Sequence, residues 1–330
     1  MASTGMAMPL DELIEADGEE GKAYIDDFLP GFMEDSYVDG KIYSIPFQRS
    51  TMVLYYNKDA FKEAGLDPET PPATWEELAE YGQKLTDDGR YGVGIALNSG
   101  SAQWAFTGFC LQNSTDGQNL MSEDGKSVYF NTPENVEALQ FWLDLQNEYK
   151  CMAEGIVQWT DLPTQFLAGE VAMIYHTTGN MANIHDNADF DFGTAFLPAH
   201  KRVGAPTGGG NFYISSGISE DRVQAAWKFI KFATSTDRAA QWSLDTGYVA
   251  TRQSCFDTDL IKDYYAEVPQ ASVAYEQLPY AKPELTTYNA AEIWRVLNDN
   301  IQAAVVGDMS AREALDAAQE QAEEVLSEYQ

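Results

Sequence analysis

A chain of 330 residues with 52 acidic against 20 basic side chains carries a formal net charge of −32. Phosphate backbones would be repelled by that excess, so no nucleic-acid partner is expected; anionic membrane surfaces are equally poor partners. Hydrophobic residues make up 44% and aromatics 12%, which gives ample core for one large or two medium domains, and no apolar run approaches the roughly 18 residues of a membrane span. A solvated face of carboxylates produces such acidity, and it suits solubility in a salty extracytoplasmic space.

The opening MASTGMAMPL has no basic start and no long apolar stretch, so it does not read as a signal peptide. Residues 10–28 read as one helix ending ahead of Pro30. Residues 43–59, YSIPFQRSTMVLYYNKD, come next. Pro46 is expected to break an incoming strand, and residues 52–56 to resume as a buried one. Between them Gln48, Arg49, Ser50 and Thr51 interrupt the apolar run. A buried strand rarely spends four polar residues unless something outside the fold needs them; the plain alternative is a polar corner between two strands.

Farther along, Thr74 and Glu77 form a capping box that opens a helix with Leu78, Tyr81 and Leu85 on its buried stripe. Residues 91–97 read as a short buried strand. Thr132 caps a helix with Pro133 in its first position and Val136, Leu139, Trp142 and Leu143 on one face. Residues 164–174 read as a short helix stopped by Gly169 and then a strand, and residues 190–197 as another strand. Val223, Ala226, Trp227, Ile230 and Ala233 mark an amphipathic helix from Ser219. Ser310 and Glu313 open the last helix, with Leu315, Ala318, Ala322 and Val325 inward. Strands alternating with helices predict an α/β protein with mostly parallel sheets.

Cys110, Cys151 and Cys255 form no CxxC pair, and a buried thiol is the ordinary reading of each, one disulfide being left open. His176, His185 and His200 lack metal-ligand spacing, so neither metal nor cofactor is expected. Three short segments, residues 48–51, 207–211 and 246–248, join polar or glycine residues to strand ends.

Residues 46–68 match PFxxSTxVLYYNKDAFKxAGLDP, and the rest of the chain follows with gaps. The whole resembles the solute-binding proteins of bacterial ABC importers of the maltose-binding type, and within them the glycerol-3-phosphate binders. The resemblance implies a periplasmic-binding-protein fold of two α/β lobes, with the three segments above as strand hinges. Residues 1–50 and 209–247 would form the N-lobe, and residues 51–208 and 248–330 the C-lobe. It implies that the N-lobe is incomplete, the chain starting inside the family pattern about 70 residues late, roughly a pair of strand–helix units. A tyrosine and a glutamate that read the ligand's glycerol end would lie in that upstream portion.

Carried over by motif, the phosphate-holding groups fall on Ser50 (PFxxST), Thr177 (after FxxGxxAM at 166–173), Gly209 (the GG turn), Tyr248 (TGY) and Arg295 (the WR pair). Neutral donors, a glycine amide and one guanidinium are what an oxyanion wants. By spacing alone Arg295 would instead pair with Glu292 or Asp299, Thr177 would cap a backbone group at a strand end, and Tyr248 would be a core tyrosine. The family's stacking tryptophans are represented by Trp104, with Ser99 to Ser101 where a first indole would stand, which points to a wider or differently shaped ligand. Trp142 and Trp227 read as core, and Trp75, Trp159, Trp242 and Trp294 as structural or uninformative. The expected protein is a monomer outside the cytoplasmic membrane that captures a phosphate-bearing polyol for membrane permease subunits. A sugar or oligosaccharide is the alternative ligand. A glycoside-active enzyme is more remote, for no nucleophile elbow, zinc motif or P-loop is present.

Overall fold

The structure, a computed structural model, describes residues 1–330 apart from Ser3 and Ser99. Two short strands, β1 (Tyr37–Val38) and β2 (Lys41–Ile42), form a ribbon leading into β3 (Ser44–Asn57), a 14-residue strand. Around β3 lie β4 (Tyr91–Gly94), β5 (Val171–Thr177), β6 (Phe192–Ala195), β7 (Ala205–Tyr213) and β8 (Ala281–Lys282). The path across the sheet is β4-β5-β3-β7-β8, with β6 also on β3.

β3 changes partners along its length. Residues 44–51 pair with β7, residues 52–56 with β5 and residues 54–57 with β6, always antiparallel. Among the described strands only β4–β5 and β7–β8 pair in parallel. This corrects the mostly parallel sheets that strand–helix alternation predicts. The other five strands do share one direction, but β3 is inserted against it at the centre, where most of the hydrogen bonds are made.

Pro46 does not break β3. A register shift between Pro46 and Gln48 absorbs it, since a bulge lifts the requirement for an N–H at the proline. Residues 10–28 form two helices, Asp11–Ala16 and Gly18–Asp26, because Gly18 takes φ +60° and turns the chain. Residues 207–211 lie inside β7 and not at a strand end. The capping boxes at Thr74/Glu77 and Ser310/Glu313 are both formed, and Thr132 caps the helix Pro133–Asn147.

The apolar half of β3 is the anchor of the core. Met52, Val53, Leu54 and Tyr55 are each 0% exposed, worth about 1.5–3 kcal/mol per side chain. One face packs on Phe61, Leu78, Phe106, Phe109 and Leu139, the other on Phe166, Ile174, Ile184 and Tyr264. The helix Ala102–Asn113 is buried along its whole length, as its apolar composition on every side demands. A separate core joins Leu10, Phe28, Ile42 and Ile45 to Ile214, Val223, Trp227 and Ile230. All three cysteines are buried and unpaired.

Candidate functional site

The middle of β3 sets the site. Successive side chains on a strand point to opposite faces, so Arg49 and Thr51 look one way and Gln48 and Ser50 the other. Arg49 is 2% exposed. Its Nη2 reaches Asp35 Oδ2 at 3.0 Å, its Nη1 meets Asn211 Oδ1 at 3.4 Å, and its guanidinium lies over the Phe32 ring. The Thr51 hydroxyl donates to Pro206 O at 2.9 Å. Two of the four polar residues are therefore answered inside the fold, which corrects the expectation that all four serve something outside it. Asp35 is nonetheless pushed up, because burial outweighs the pull of Arg49. Glu284, in the loop after β8, rises to about 7 through burial, opposed by Arg49 and helped by Asp35.

On the other face Ser50 is 2% exposed and opposite Gly208 in register. Its hydroxyl has no hydrogen-bond partner among the described residues. The glycine run beside it is required by packing. A Cβ on Gly208 would fall 2.8 Å from the Trp104 ring, and one on Gly209, at φ +107°, 2.0 Å from Gln48 O. Trp104 is held there by Nε1, which donates to Thr207 O at 2.9 Å.

Thr177 ends β5 opposite Met52, two residues from Ser50. Its Oγ1 accepts from Gly179 N at 3.1 Å and its carbonyl accepts from the Tyr55 hydroxyl at 2.9 Å, so it does cap a turn. Tyr248 follows Gly247 (φ +85°) at the end of the helix Thr236–Thr246. Its ring lies on Gly179, where an added Cβ would come within 2.7 Å of Cζ. The next residue, Val249, donates its N–H to Arg49 O at 2.9 Å. The half-buried Tyr248 hydroxyl also has no hydrogen-bond partner among the described residues. Ser50, Trp104, Thr177, Gly209 and Tyr248 thus gather where β3 passes from β7 to β5.

Arg295 stands apart. It is exposed on the helix Ala290–Val305 and binds Glu292 Oε1 at 2.6 Å and Asp299 Oδ2 at 2.8 Å, the pairing its spacing foretells. One turn on, Asn298 Oδ1 accepts from Gln103 N at 2.8 Å, which brings this helix to the residue beside Trp104. A cavity of about 230 Å³ lined by Tyr91, Val93, Val157, Leu162 and Val171 lies at the β4 side, and none of the six candidate residues lines it.

Trp159 escaped the sequence reading. Its ring stacks on His176 at 3.9 Å and stands 5.7 Å from Trp104. No motif flags it, and only the fold brings residue 159 to residue 104. The position noted for a first indole includes Ser99, which lies outside the described residues; Ser101 is buried and bonds to Asn98 Oδ1 at 2.7 Å.

The α/β fold, with one long reversed strand through the sheet, is that of solved solute-binding proteins of the periplasmic type. Residues 1–270 match the model of the bacterial extracellular solute-binding proteins, and the chain belongs to that family. Such proteins capture solutes for ABC importers. Among its relatives is the sn-glycerol-3-phosphate-binding periplasmic protein UgpB of Escherichia coli strain K12, 30% identical over 100% of this chain and 77% of the relative. The UgpB of Mycobacterium tuberculosis, solved with glycerophosphocholine, superposes with a TM-score of 0.86 at 27% identity, over 99% of this chain and 80% of that one. The cyclic α-maltosyl-1,6-maltose-binding protein of Arthrobacter globiformis superposes with a TM-score of 0.83 at 26% identity, over 99% and 81%.

Proposed function

We propose that the protein captures a glycerol phosphate, free or as a phosphodiester, outside the cytoplasmic membrane and passes it to an ABC permease. It acts as a monomer and performs no chemistry of its own. The observation that carries this reading is the pair of hydroxyls, Ser50 and Tyr248, left without protein partners among the described residues near the glycine backbone of β7. Neither oxygen is among the fully buried atoms that lack a partner, so both are open to a ligand's oxyanion. The ligands of the two UgpB relatives agree with an oxyanion there.

Thr177 and the Gly209 amide complete the cradle, and Trp104 walls it. Arg295 supplies the counter-charge by exchanging Glu292 and Asp299 for the ligand when two lobes close. In this reading residues 1–50 and 209–247 form one lobe and residues 51–208 and 248–330 the other, hinged at β3, β7 and Tyr248. The separate core shared by Leu10, Ile45, Ile214 and Trp227 supports that division.

A sugar is the second reading, favoured by Trp104 and by the maltose-type neighbour. Calorimetry with sn-glycerol 3-phosphate, glycerophosphocholine and maltotriose separates the two. The phosphate esters should bind, and Ser50→Ala should weaken them about tenfold, as loss of one hydrogen bond to a charged group does. Arg295→Ala should weaken them at least as much. Binding of maltotriose alone, or indifference of phosphate binding to both substitutions, would defeat the assignment.

A further inference from the structure

Behind the cradle, on the face of β3 opposite Ser50, lies a cluster of charges that ligand capture does not use. Arg49 is its centre. Its guanidinium reaches Asp35, Thr207 and Asn211, and its Nε is buried with no hydrogen-bond partner among the described residues. Its carbonyl accepts from Val249 N at 2.9 Å. One residue therefore meets all three proposed hinge crossings: β3 itself, β7 through Thr207 and Asn211, and the stretch after Tyr248 through Val249.

The carboxyl groups around Arg49 come from both sides of the hinge. Asp35 belongs to the short turn Glu34–Ser36, which is held to residues of the first lobe. Tyr43 N donates to Ser36 O at 2.9 Å and Asn211 Nδ2 to Ser36 Oγ at 3.3 Å. Glu284 comes from the second lobe. Its loop is fastened by Asn119 Nδ2, which donates to Pro283 O at 2.7 Å, and by Met121 Sδ, which accepts from Thr286 N at 3.0 Å. The charged groups facing Glu284 are Arg49 of β3 and Asp35 of the turn; beside them Glu34 faces Lys282 of β8 and Glu123 of the second lobe. Burial is the strongest influence on Glu284 and lifts its pKa to about 7, against Arg49 and with Asp35. Contact between the two sides thus keeps this carboxyl protonated.

Lobes that turn about strands lying between two faces close one face by opening the other. When the Ser50 face closes on a ligand, the Arg49 face parts. Asp35 then stays with Arg49 in the first lobe, and Glu284 moves out into water. Freed of its burial, it returns toward its ordinary 4.5 and loses the proton.

We propose that Glu284 is a proton-operated latch on the back of the hinge, which gives its proton to water each time the cleft in front closes on a ligand. This rests on the two-lobed capture reading above. Between the two pKa values the closed form binds fewer protons than the open one, so capture tightens as pH rises.

The test is calorimetry with glycerophosphocholine, a diester that has no proton of its own to lose near neutral pH. At pH 6 the difference in heat between MES and imidazole buffers counts released protons, and the wild type should release about one per ligand. Its affinity should rise about tenfold from pH 5.5 to 7.5. Glu284→Gln, which keeps the shape and cannot ionise, should release none and bind equally at both. Absence of proton release by the wild type, weaker binding at the higher pH, or a slope that Glu284→Gln leaves in place each overturns the latch. Should the variant fail to fold, the wild-type proton count and slope decide. Maltotriose, which is neutral, runs in parallel. If it alone binds, the glycerol phosphate reading falls and its own slope judges the latch; if neither ligand binds, the capture reading falls and takes the latch with it.

Discussion

Replacing Glu284 with glutamine should stabilise the protein at pH 8 and flatten its dependence on pH. Glu284 sits beside the buried Arg49–Asp35 pair, and its pKa rises from 4.5 to about 7, first through burial and then through Asp35, against the pull of Arg49. The folded chain therefore holds this proton until about pH 7, whereas the unfolded chain releases it near 4.5. In that window the folded state binds more protons, so stability falls as pH rises. The contribution is complete below the lower value and gone above the upper one. A shift from 4.5 to about 7 corresponds to about 3 kcal/mol, which the remaining solvent contact of a half-buried carboxyl trims to about 2. Glutamine keeps the shape and cannot ionise. Thermal unfolding followed by circular dichroism from pH 4.5 to 8 reads the difference between the two proteins, in which the other carboxylates cancel. At about 2 °C per kcal/mol for a chain of this size, the variant should gain about 4 °C at pH 8 relative to its position at pH 4.5. Parallel curves for the two proteins across the window would refute the reasoning.

Two further outcomes follow from burial. Gly208→Ala places a methyl 2.8 Å from the Trp104 ring, so the indole must leave Thr207 O; about 1–3 kcal/mol of stability should be lost, with a shift in tryptophan emission and weaker ligand binding. An unchanged emission spectrum would contradict it. Burial pushes Cys151 up to about 12 and Cys255 to about 11, and raises Cys110 well above the ordinary thiol range. A thiol reagent at pH 8 should therefore find no reactive group in the folded protein and three in denaturant, and rapid labelling of the native protein would show that the cysteines are accessible.

Local chemistry was the part of the fold open to reading. Thr74, Thr132 and Ser310 start helices because their hydroxyls answer free backbone N–H groups within three residues, and nothing distant has to be known. Orientation was not open in this way. β3 runs against its neighbours because β5, β6 and β7 are all brought to it from far along the chain, and strand–helix alternation carries no record of that. Pro46 misled for a related reason, since a bulge depends on what β7 does opposite it.

The candidate site divides along the same line. Motif resemblance reached Ser50, Trp104, Thr177, Gly209 and Tyr248, which the fold draws to one crossing. Arg295 follows its local spacing in pairing with Glu292 and Asp299. Arg49 seemed available to a ligand because its partner Asp35 is 14 residues away and reaches it only after the ribbon of β1 and β2 has turned. Trp159 depends on contacts with residues 98, 104 and 176, none within helical or strand spacing.

The partner changes of β3 also bear on how the chain leaves the ribosome. Its apolar half is synthesised before the stretch that will cover it, and more than a hundred residues separate Asn57 from Val171. At roughly 5–20 residues per second that interval lasts on the order of ten seconds, far longer than hydrophobic collapse takes. The spine of the sheet is made first and locked last, so the nascent polypeptide stays soft, and within reach of holding chaperones, until translation has passed Tyr213.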